Sequence, residues 1–160
     1  MRPWNAVFAV LPLVCGVVAA APAAWADPAY EASTAVGACL AAVIDGAPVA
    51  NARGQDVAIH RDHNPNLCAV TVTAGAPEDV RDAVMAAIAE RPEGFVPART
   101  AWDPGALARR EALCNRPGRR ALSLVVETAR PGASPVVKMT VIEGRARDQR
   151  CDLDMGLQRP

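Results

Sequence analysis

Five cysteines lie along the 160 residues, and the loss of one while four remain constrains the fold more than any other feature. Cys15 sits in an apolar run, from about Ala6 to Ala23, that follows Arg2 and precedes Ala24-Trp25-Ala26. A basic start, an apolar middle and an A-x-A end are the layout of a secretory leader. The expectation is cleavage after Ala26, with residues 1–26 a removed signal peptide and 27–160 a single exported α+β domain. A transmembrane anchor fits less well, because the run is Ala-rich, interrupted by Pro12, and followed by no basic stop. The mature chain is therefore expected to be periplasmic or secreted, with no transmembrane segment.

Cleavage leaves Cys39, Cys68, Cys114 and Cys151. An even set of cysteines in an oxidising compartment reads as a disulfide framework. The intervals of 28, 45 and 36 residues contain no C-x-x-C pair and so do not suggest a zinc knuckle. Cross-links matter in this chain because its only aromatic residues after Ala26 are Tyr30, Phe95 and Trp102, leaving the core to Ala, Val, Leu, Ile and Met.

Periodicity supplies the elements. Residues 28–45 place Val36, Cys39, Leu40 and Val43 on one helical face, and Gly46 stops the helix. Val57 and Ile59 alternate within 56–60, and Cys68, Val70 and Val72 share a face within 67–74. Four cysteines allow three connectivities, among which spacing alone does not choose; if the Cys68 face is the buried one, Cys39 and Cys68 point into one layer, the geometry a helix-to-sheet disulfide requires. The clearest helix is 76–94, with Pro77 in the first turn, Glu78 and Asp79 at its positive end, and Val80, Val84, Ala87 and Ile88 as its stripe. Ala106–Cys114 fits either a helical turn or a strand, with strand preferred because 121–128 and 135–143 alternate as strands and turn sequences separate the three runs. That is an antiparallel meander, whose first and third strands end on the same side, and it favours a Cys114–Cys151 bridge. The expected fold is α+β: an antiparallel sheet of four to five strands with two helices packed on one face, stapled by two disulfides.

One short stretch concentrates chemistry. "HRDHNPNLC", residues 60–68, holds both histidines of the chain. His60, Asp62 and His63 are candidate metal ligands, since imidazole and carboxylate bind zinc and an open position can activate water. Strand alternation turns His60 away from Val57 and Ile59, while His63-Asn64-Pro65-Asn66 has turn composition, so a hairpin loop is the simpler reading. Cys68 as a nucleophile beside His63 conflicts with its use in a disulfide. No G-x-S-x-G elbow and no glycine-rich phosphate loop occurs. No cofactor is implied.

Charge is segregated. From Asp27 to Pro104 there are five arginines against eleven acids, whereas Gly105 to Arg150 carries nine arginines and Lys138 against four acids. Arg109, Arg110, Arg119, Arg120, Arg145 and Arg147 fall near expected strand ends and turns, and so form a candidate anion-binding edge. Nucleic acid is not an expected ligand, because aromatic residues are not interleaved with the basic ones. The function class these residues suggest is a non-enzymatic binding, inhibitor or accessory module, whose partner is an envelope protein or an anionic envelope component. The alternative is a metal-dependent hydrolase or metal-binding protein built on His60, Asp62 and His63.

Overall fold

The computed structural model describes residues 27–97, 107–115 and 122–144. Helix α1 (Pro28–Ile44) starts because the Asp27 side chain accepts a hydrogen bond from the Ala29 amide at 3.0 Å and Pro28 takes the first helical position. It ends where Gly46 takes φ 73°, a left-handed conformation that glycine adopts without strain. Helix α2 (Pro77–Ala89) buries Val80, Val84 and Ile88, and Gly94 with φ 67° follows its end.

Among the described residues seven strands, β1 (Ala52–Arg53), β2 (Val57–His63), β3 (Asn66–Val72), β4 (Phe95–Pro97), β5 (Leu107–Asn115), β6 (Leu122–Ala129) and β7 (Val137–Glu143), form one antiparallel sheet. Their order is β1-β2-β3-β7-β6-β5-β4. The fold is α+β as expected, and within the segment 106–114 the described residues Leu107–Cys114 belong to strand β5. The expected strand number was too low. β1 has two residues and β4 three, too few to show alternation, and they lie in segments read as a polar connection and a proline-interrupted loop.

Register assigns each strand residue to a face. Cys68 pairs with Val141, Val70 with Met139 and Val72 with Val137, while Leu124 pairs with Val141 and Val126 with Met139. These side chains form a single buried cluster with Val36, Cys39 and Leu40 of α1 and Val80, Val84 and Ile88 of α2. Both helices therefore cover one face of the sheet. The remaining strand positions, including His60, Ala69, Thr140, Val125 and Cys114, point to the other face, since side chains alternate along a strand.

Cys39 and Cys68 are bonded across the helix–sheet layer, with Cα atoms 5.4 Å apart and both side chains fully buried. This is the one disulfide among the described residues with both partners in view. Cys114 is also disulfide-bonded. Its expected partner Cys151, Cys15 and the whole of the expected leader, residues 1–26, lie outside the described residues. Among the described residues, no helix is long and apolar enough to cross a membrane.

Candidate functional site

The stretch "HRDHNPNLC" is the β2–β3 hairpin: β2 runs through His63, β3 resumes at Asn66, and His63 pairs with Asn66. Asp62 steadies the turn by accepting a hydrogen bond from the Asn64 amide at 3.1 Å. Alternation separates the proposed ligand set. His60 and Asp62 lie on the helix-free face, opposite Ala69 and Leu67, while His63 is on the face of Arg61 and Cys68. Among the described residues no group of three or more His, Cys, Asp or Glu side chains is arranged to hold a metal ion.

On the helix side, the hairpin closes against the C-terminal end of α1. Arg61 donates to the Leu67 carbonyl at 2.9 Å, to the Asp62 carbonyl, and to Asn66 Oδ1 at 2.5 Å. The Asn66 amide in turn donates to the Val43 carbonyl at 3.0 Å and to Glu143 Oε2 at 2.6 Å. Val43 is in the last turn of α1, where carbonyls have no intrahelical partner, so Asn66 fills a need created by the helix itself. Arg61 lies beside that same end, where the helix dipole favours a cation. The Arg61 amide donates to Asn51 Oδ1 at 2.5 Å, which satisfies the β2 edge just past the short strand β1.

These groups line a cleft of about 390 Å³ bounded by Val43, Asp45, Arg61, His63, Asn66 and Glu143. A second cleft of about 620 Å³ shares Arg61 and His63 and is walled by Ala47, Pro48 and Val49. Within the first, Arg61 is offset by Asp45 and Glu143, so the cleft alone carries no positive surplus. Nearby, Arg91 of the segment after α2 bridges Asp45 at 3.0 Å and Glu93 at 2.7 Å. The Glu93 hydrogen bond is the main cause that raises the Arg91 pKa, and the same bond lowers that of Glu93.

The arginines are distributed by the same register. Consecutive residues of β5, Arg109 and Arg110 face opposite sides of the sheet: Arg109 lies 3.8 Å from Glu78 of α2, and Arg110 lies 3.5 Å from Glu127 of β6. These two do not converge on one surface. Arg119, Arg120, Arg145 and Arg147 lie outside the described residues. The strand ends that bound their segments are described. Cys114 pairs with Ser123, and Leu122 pairs with Glu143, so the end of β5, the start of β6 and the end of β7 adjoin at one end of the sheet. Asn66 joins Glu143 at that same end. Arg61, Asn66 and Glu143 were not singled out from sequence; extending the β2 alternation past His60 would have placed Arg61 and His63 inward at the hairpin tip.

Compared with known families, curated proteins and solved structures, the chain finds no match.

Proposed function

We propose that this protein is a small exported, non-enzymatic binding or accessory module that engages an anionic component of the cell envelope at the end of the sheet formed by Asn115, Leu122, Glu143 and the β2–β3 hairpin. One observation supports this reading. The segment bearing Arg116, Arg119 and Arg120 links Asn115 to Leu122, and the segment bearing Arg145, Arg147 and Arg150 follows Gly144, so both are tethered to adjoining strand ends. Six guanidinium groups tied to one end raise the local potential for phosphate or carboxylate, for which arginine provides a planar fork of donors. The buried Cys39–Cys68 bond is compatible with an oxidising compartment outside the cytosol.

The test is capture from native envelope at low salt with crosslinking, followed by titration of the partner against ionic strength. Affinity is expected to fall several-fold as salt rises, and to fall at low salt in an Arg119→Ser/Arg120→Ser/Arg145→Ser/Arg147→Ser variant. A partner whose affinity ignores both salt and these substitutions rules the reading out.

A further inference from the structure

The helix-free face of the sheet is not bare polar surface. Leu67, Val125 and Ile142 are half-buried there, and Ala69 is 7% and Cys114 only 2% exposed, although neither belongs to the cluster beneath the helices. Cys114 is disulfide-bonded, and Cys39 and Cys68 are bonded to each other. In the processed chain that leaves Cys151 as the one remaining cysteine.

From these facts we infer that the C-terminal segment, residues 145–160, is the occupant of the helix-free face, fastened there by a Cys114–Cys151 disulfide. The reach is adequate. Ile142, Ser123 and Cys114 stand side by side in one row of β7, β6 and β5, so Cys114 lies about 10 Å from Ile142 at the usual strand spacing. The seven residues 144–150 span up to about 25 Å when extended. The bond requires Cys151 to bring its Cα within about 7 Å of that of Cys114, on the side to which Cys114 points.

The sequence past the anchor agrees independently. In "CDLDMGL" the positions Cys151, Leu153, Met155 and Leu157 alternate with Asp152, Asp154 and Gly156. An extended chain with Cys151 turned to the sheet turns Leu153, Met155 and Leu157 to it as well, and both aspartates to solvent. Three apolar side chains then meet the partly exposed Leu67, Val125 and Ile142. In chemical terms, each thiol gives up one proton and one electron to a disulfide oxidant of the export compartment, which leaves as a dithiol. The inference does not depend on the anionic partner.

The experiment uses the mature, oxidised chain. Proteolysis without reduction, followed by mass analysis, is expected to release one peptide pair joining Cys114 to Cys151. Methyl NOEs in the intact protein are expected between Val125 or Ile142 and Leu153, Met155 or Leu157. A Leu153→Ser/Leu157→Ser variant, which keeps the disulfide, is expected to bind an apolar fluorescent dye several-fold more strongly. Cys114 linked to another cysteine, or a correct bond with no NOE from any residue beyond Cys151 to this face, overturns the inference.

Discussion

Asn66 carries more of the fold than its size implies. Its amide joins α1 to β7 through Val43 and Glu143, and its oxygen holds the Arg61 guanidinium, so three elements meet at one side chain. Replacing it with alanine strands a buried helix carbonyl and loosens a cation. The expected cost of Asn66→Ala is about 1–3 kcal/mol in urea unfolding, with little change in the slope of the transition. Asn66→Asp is expected to fall short of the native asparagine because a carboxylate cannot donate to Val43 or Glu143. Residue-scale chemistry of this kind was partly legible beforehand. Alternation correctly turned His60 away from Val57 and Ile59, and the turn composition of "HNPN" marked the hairpin. The role of Asn66 was not legible, because its partners lie 23 and 77 residues away in the chain.

Among elements, the two helix ends are joined through charge. Arg91 binds both Asp45, the C-cap residue of α1, and Glu93, the residue before the glycine that follows α2. The hydrogen bond from Arg91 lowers the Glu93 pKa in the folded state. A carboxylate lowered in this way contributes stability that is present above its ordinary value of about 4.3 and is lost as pH falls through the folded value. Arg91, raised, stays charged throughout neutral and acidic conditions, so protonation of Glu93 is what ends the stabilisation this bond gives. Acid unfolding of the native protein is therefore expected to include a component below about pH 4 that Glu93→Gln lacks, measured as the difference in stability between pH 6 and pH 3. Arg81 on α2 makes the equivalent connection to Glu111 of β5, with Nε donating at 2.8 Å. The helices themselves were readable because their apolar stripes and stops are local. The strands β1 and β4 were not, since two or three residues borrow their conformation from the neighbours they pair with.

Across the whole molecule, the Cys39–Cys68 bond closes a separation of 29 residues and joins the helix layer to the sheet. In the chain-entropy account such a loop contributes about 3–4 kcal/mol. Cys39→Ala/Cys68→Ala is expected to lose about that amount in chemical denaturation and to leave a transition sensitive to temperature near 37 °C. A loss below about 1 kcal/mol would mean that the aliphatic core holds the layers together unaided.

Sequence alone determined the two helices and the four strand patterns within 56–74 and 121–143, and it pointed to a Cys39–Cys68 pairing without choosing among the three possible connectivities, because each depends on spacing within one or two neighbouring elements. Only the tertiary structure decided that β7 inserts beside β3 and joins the two halves into one sheet. It alone also brought Arg61, Asn66 and Glu143 to one cleft. The reason is physical: alternating apolar strands offer equivalent edges to one another, and pairing across 60 or more residues is selected by shared burial under the helices, which no local pattern records.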